Sequence, residues 1–171
     1  MSNPQPAIPL EPPDSHYLLA ALGWLELGNP GEALVELDGI TANFTRHPDV
    51  LDTRWQILAR QENWRACVET AATMILQLPE NPLGWIHRSY ALHEMKRTRE
   101  ARDNLLPVVD RFPEEFLIRY NLACYECQLT RLDEARSWLR KAIKVGGKKD
   151  IRAMALQDSD LQPLWPEIKL L

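Results

Sequence analysis

"YNLACYECQLTRLDEARSWLRKAI", residues 120–143, decides the fold. Its Cys124-x-x-Cys127 pair first suggests redox or metal chemistry, but its second half recurs along the chain. The segments "NPGEALVELDGIT" (29–41), "NWRACVETAATMI" (63–75), "RTREARDNLLPVV" (97–109) and "RLDEARSWLRKAI" (131–143) align without gaps. Ala33, Cys67, Ala101 and Ala135 then share one column at intervals of 34 residues. Nine residues earlier stand Trp24, Leu58, Leu92 and Glu126; four later, Leu37, Ala71, Leu105 and Leu139. Seven later stand Ile40, Met74, Val108 and Ala142. Pro48 and Pro82, and Pro79 and Pro113, keep the same interval of 34 residues. A fixed period of this length marks a repeat architecture.

Each unit reads as two helices. Tyr17, Ala20, Ala21, Trp24 and Leu27 are spaced to form one buried stripe on the first helix. Turns follow at "LGNPGE", "QENWR", "MKRTRE" and "LTRLDE". Asn29 is expected to cap the second helix, with Pro30 in its first turn and Glu32 completing a capping box; Thr130 with Asp133 repeats the arrangement. The small residue early in each second helix lets paired helices approach closely. Pro107 removes a backbone donor inside "ARDNLLPVVDRF", so a kink is expected there.

The pattern resembles the tetratricopeptide repeat, with its helix–turn–helix units, small residues at fixed columns and a proline at the repeat end. The last unit matches best through Leu122, Ala123, Ala135 and Ala142; the first carries Ala21, Gly28 and Ala33, the third Trp85, Ala101 and Pro113. The second departs, with Trp55 where a small residue is usual and Cys67 for alanine. The resemblance implies an all-α, right-handed α-solenoid of antiparallel helix pairs. Four repeats fall at about 15–47, 48–81, 82–115 and 116–147, after a Pro-rich lead over 1–14. Residues 148–171 read as a capping helix and tail, with Ile151, Met154, Ala155, Leu161 and Trp165 covering the open end of the stack.

Composition narrows the function. With 45% hydrophobic and 26% charged residues the chain is globular, and a net charge of −4 argues against a nucleic-acid partner. No apolar run reaches the roughly 20 residues that span a bilayer. Five of the thirteen prolines fall in the first thirteen residues, which do not read as a secretory signal. The three cysteines are therefore expected as reduced thiols in the cytoplasm. No phosphate loop, HExxH or nucleophile elbow is present, so no enzyme activity, metal or cofactor is expected.

The resemblance implies a groove lined by the first helices, where a protein or peptide partner would bind. Its columns hold Leu18, Leu19, Leu22 and Leu25 in repeat one, and Asp52, Thr53, Gln56 and Arg60 in repeat two. Repeat three supplies Ile86, His87, Tyr90 and His93; repeat four supplies Tyr120, Asn121, Cys124 and Cys127. The chaperone-type carboxylate ligand is disfavoured, because Leu18, Leu22, Thr53, Leu83 and His87 stand where a clamp needs Lys, Asn and Arg. The expected role is a non-catalytic adaptor, scaffold or chaperone. The alternatives are a self-association unit forming a homo-oligomer, with the Leu cluster of repeat one covered by the lead or by a second subunit, and, more narrowly, a bacterial secretion chaperone. Redox or metal work at His87, His93, Cys124 and Cys127 is the weakest reading, since redox CxxC pairs sit at helix starts.

Overall fold

The structure, a computed structural model, describes residues 9–170; most of the Pro-rich lead, residues 1–8, lies outside them. The described residues form α-helices joined by turns and short 3₁₀ segments, with no strand among them. Four first helices, α1 (Asp14–Glu26), α3 (Pro48–Arg60), α5 (Pro82–Glu94) and α7 (Phe116–Gln128), begin 34 residues apart. Four second helices keep the same interval: α2 (Pro30–Asp38), α4 (Trp64–Gln77), α6 (Thr98–Leu105) and α8 (Leu132–Gly146). Two further helices, α9 (Lys148–Ala155) and α10 (Trp165–Ile168), follow. The chain divides into two compact units, residues 1–91 and 92–171, with the division inside α5.

The turn inside each helix pair is one motif written four times. Gly28, Glu62, Lys96 and Thr130 all take positive φ, from 54° to 76°. The next amide then reaches back five residues: Asn29 to Trp24, Asn63 to Leu58, Arg97 to Leu92 and Arg131 to Glu126, at 2.8–3.0 Å. This is the Schellman stop, which satisfies carbonyls the helix end would otherwise leave open. Asn29 and Asn63 cap the following helices through the amides of Glu32 and Ala66. Thr130 makes no cap. It occupies the left-handed position, donates its hydroxyl to the Leu129 carbonyl, and leaves Arg131 before α8 without a side-chain cap.

In the first unit, Ala21, Leu25, Ala33, Leu37, Ile40, Val50 and Ile57 form one cluster, with Leu10, Tyr17, Leu18 and Phe44 packed on it. Trp55, Leu58, Cys67, Ala71 and Ala91 form the next. The buried stripe of α1 therefore runs through Asp14, Ala21 and Leu25, not through Trp24 and Leu27, which are 36% and 77% exposed. Buried Asp14 accepts the amide and hydroxyl of Thr41 at 2.7 and 2.9 Å, tying the start of α1 to the end of α2. That contact sets the rotation of α1 and turns Trp24 outward, toward Glu36.

In the second unit, Ala101, Leu105, Val108, Ile118, Leu122, Ala123, Ala135, Leu139 and Ala142 are buried between α6, α7 and α8. Glu126 stands in an otherwise apolar column and is 1% exposed; Arg102 and Arg131 reach its carboxylate at 2.9 and 3.4 Å. Pro107 does not kink a continuous helix: α6 ends at Leu105 and a 3₁₀ turn over Leu106–Val108 follows. Without the proline's amide proton the α pattern cannot continue, and the shorter 3₁₀ turn replaces it. After α9, a 3₁₀ segment over Ser159–Leu164 leads into α10. Ile151, Ala155, Leu161, Leu164 and Ile168 are buried, whereas Met154 and Trp165 are only partly covered.

Candidate functional site

The first-helix face of the first unit gathers residues that the repeat frame assigns to a groove. On α3, Gln56 donates to Asp52 at 2.8 Å, and the other oxygen of Asp52 lies 2.9 Å from His87 Nε2 on α5. The His87 ring stacks on Trp55 with centroids 3.7 Å apart and planes within 2°. Tyr90, one turn further along α5, makes T-shaped contacts with Trp55 and Trp64, with ring centroids 6.1 and 5.9 Å apart, and remains 41% exposed. Periodicity does not single out the two tryptophans as part of a site, although an aromatic in a small-residue column is a signal. Trp55 fills the space that a small residue would leave and orients His87.

Leu25, Thr53 and Ile86, expected in the groove, do not line it. They are 7%, 3% and 8% exposed, because their side chains face the helix pairing. Leu18 and Leu22 are half-buried, Leu18 against the first cluster. Leu19 is 65% exposed, and Arg60 is also exposed. An accessible surface thus remains at Leu19, and another at Gln56, Arg60, His87 and Tyr90.

In the second unit the corresponding face is occupied by the chain's own C-terminal segment. His93, Tyr120, Cys124 and Cys127 are 7%, 4%, 4% and 3% exposed and cannot line an open groove; Asn121 is half-buried. Asp158 accepts the Tyr120 hydroxyl at 2.8 Å and the Cys124 thiol at 3.4 Å. Asp160 lies 2.8 Å from His93 Nε2, and the other ring nitrogen of His93 is 3.0 Å from Thr98 Oγ1. Gln128 donates to the Asp160 carbonyl at 3.0 Å.

Electrostatics follow this cover. Burial pushes the Cys124 thiol well above its ordinary value, and Asp158 adds to the shift. Burial and then Asp160 raise Cys127, while burial raises Tyr120, with Cys124 and Asp158 adding to it. Thiols held in that state are poor nucleophiles and poor metal ligands. All three cysteines are free, and no cluster of three or more His, Cys, Asp or Glu is placed to hold a metal among the described residues. Nor is any helix among them long and apolar enough to cross a membrane.

No protein-family model matches the chain, and no curated sequence matches it significantly. Solved structures do. A MamA fragment (residues 41 to the end) from Desulfovibrio magneticus RS-1 is similar with a TM-score of 0.70 at 17% identity, over 95% of this chain and 97% of that one. A thermophilic TPR protein of Thermus thermophilus is similar with a TM-score of 0.67 at 14% identity, over 92% of this chain and 100% of that one. A MamA double mutant from RS-1 is similar at 0.68 and 12% identity, over 81% and 78%. At such identities the likeness speaks to fold alone, and it agrees with the 34-residue helix phasing and the fourfold turn motif. The chain has the tetratricopeptide-type α-solenoid fold.

Proposed function

We propose that the chain is a non-catalytic protein-interaction module, an adaptor, scaffold or chaperone of the cytoplasm. It takes an extended peptide or a helix of a partner protein on the first-helix face of its first unit. The observation that carries this reading is the cluster around Tyr90. A half-exposed tyrosine is held in T-shaped contact with two tryptophans beside a histidine fixed by Asp52. Rigid aromatic anchors beside adaptable polar groups are what interface hot spots are made of. Because Asp52 is already engaged by His87 and Gln56, the partner segment is mainly apolar with modest charge.

A photo-crosslinker at Tyr90 tests this against one at Leu76, an 80% exposed apolar residue of a second helix. The Tyr90 probe captures a partner, identified by mass spectrometry, that the Leu76 probe does not. Capture at Leu76 with nothing at Tyr90 overturns the reading.

A second reading, homo-oligomerisation, is favoured by the apolar surface of α1 and α2, where Leu19, Leu27 and Val35 are 65%, 77% and 65% exposed. Sedimentation at micromolar concentration decides it, since a strict monomer removes the idea.

A further inference from the structure

The geometry points to a second binding site, on α7, for an acidic Asp-x-Asp-Leu segment of a partner protein; the chain's own residues 158–161 fill this site in cis. The inference rests on the interaction-module reading for its trans occupant, and on contacts alone for the site.

Two kinds of cover are laid over the end of the chain. Toward α8 the tail buries Leu164 and Ile168, beside a bidentate Arg136–Glu167 ion pair, as a permanent cap does. Toward α7 it presents carboxylates instead. The two oxygens of Asp158 divide their work: one accepts Tyr120 and Cys124, the other accepts the Asp160 amide and so fixes the Asp-Ser-Asp turn. That turn aims Asp160 at His93 and its carbonyl at Gln128, while Leu161 is fully buried behind it. His93, Tyr120 and Cys124 are each more than nine-tenths buried, so the receiving side is a built polar site and not a surface contact.

Apolar burial is enough to close the end of a helix stack, whereas the contacts here are hydrogen bonds to carboxylates, which add direction and specificity. A recognition site needs directional donors, and this site has them: the Tyr120 phenol and Cys124 thiol of α7 on the Asp158 carboxylate, the His93 imidazole at the end of α5 on the Asp160 carboxylate, and the Gln128 amide of α7 on the Asp160 carbonyl. Tyr120 and Cys124 are among the α7 positions that the family resemblance implies for a groove, and His93 among those of α5. Both carboxylates remain partly open to solvent, so water or another carboxylate can replace them. A tethered occupant competes at millimolar effective concentration, which keeps the site closed until a partner outcompetes it.

The test uses the full chain with Asp158→Ala and Asp160→Ala, and a fluorescein-labelled peptide of residues 157–164 as the probe. Two observables are read: peptide affinity, and the reactivity of Cys124 and Cys127 toward a thiol reagent, with Cys67 as the internal control. The variant is expected to bind the peptide at least tenfold more tightly than the parent chain does. It should not bind the peptide whose aspartates are replaced by asparagine. Added peptide is expected to protect the Cys124 and Cys127 thiols again and leave Cys67 unchanged.

If that variant loses its helical signal, Tyr120→Phe, which removes one donor and keeps the ring, is read by the same thiols. Acceleration of Cys124 and Cys127 alone supports the site. A folded variant that binds both peptides equally or neither, or three thiols that accelerate together with global unfolding, overturns the inference. Those outcomes leave the Tyr90 crosslinking result untouched, so the two readings fail separately.

Discussion

The four turns that end the first helices make a quantitative prediction about one backbone column. Gly28 and Thr130 are equivalent by the 34-residue phase, with φ of 76° and 63°. An L-residue with a Cβ pays about 1–2 kcal/mol in the left-handed region, and a β-branched residue such as threonine is at the upper end. Glycine avoids that strain but is handicapped by roughly 0.5–1 kcal/mol because its unfolded chain is freer. Thr130→Gly should therefore stabilise the fold by about 0.5–1 kcal/mol. The exposed hydroxyl bond to the Leu129 carbonyl offsets a few tenths of that at most. Gly28→Thr should cost a similar amount; a Cβ there meets nothing within 4 Å, so no clash adds to the difference between backbone strain and chain entropy. Urea unfolding followed at 222 nm, with the parent slope retained, measures both. For a chain of this size the paired shifts are about 1–4 °C in opposite directions. A destabilising Thr130→Gly together with a neutral Gly28→Thr would refute the turn argument.

Three further outcomes follow from the packing and the charges. Glu126→Gln removes the buried charge that the partly exposed Arg102 and Arg131 contact, and should cost about 1–2 kcal/mol; a change below about 0.5 kcal/mol in urea contradicts a charge held by these two arginines. In the small-residue column, Cys67→Ala should cost less than about 1 kcal/mol, whereas Ala101→Leu forces helices apart and should cost about 1–3 kcal/mol; equal costs would refute the close-approach role. Burial pushes the Cys67 thiol from 9.0 up to about 11. Its folded state holds the proton more tightly, so its contribution is complete below about pH 9 and is lost as pH rises toward about 11. Between about pH 8 and 10.5 the parent chain should lose about 2 kcal/mol relative to Cys67→Ala; parallel curves would show that the thiol titrates freely.

Much of the fold was legible because it is local and periodic. The columns at Ala33, Leu37 and Ile40 and their repeats are all buried, as a fixed 34-residue interval requires. What escaped the sequence depends on partners far along the chain. Asp158 meets Tyr120 from 38 residues away and Asp160 meets His93 from 67, so no local pattern announces that the tail lies on α7. The family resemblance implies a groove position for Cys124 and Cys127 but cannot say that the chain itself covers them. Glu126 looks misplaced in its apolar column until Arg102, 24 residues away, is packed against it. Thr130 reads as a cap because its hydroxyl suits that role. The helix stop one residue earlier decides otherwise, since the Schellman bond from Arg131 places Thr130 in the left-handed position. On α1 the stripe shifts from Trp24 to Leu25, a rotation set by the Asp14–Thr41 contact and invisible to spacing alone.

The most direct test of the interaction-module account is the affinity of the crosslinked partner segment, as a synthetic peptide, for the parent chain, for Tyr90→Ala and for Leu76→Ser. Truncating an aromatic anchor costs about 1–2 kcal/mol or more, so Tyr90→Ala should weaken binding about tenfold while Leu76→Ser leaves it unchanged. Binding that survives Tyr90→Ala and falls with Leu76→Ser would contradict the account, placing the partner on the second helices.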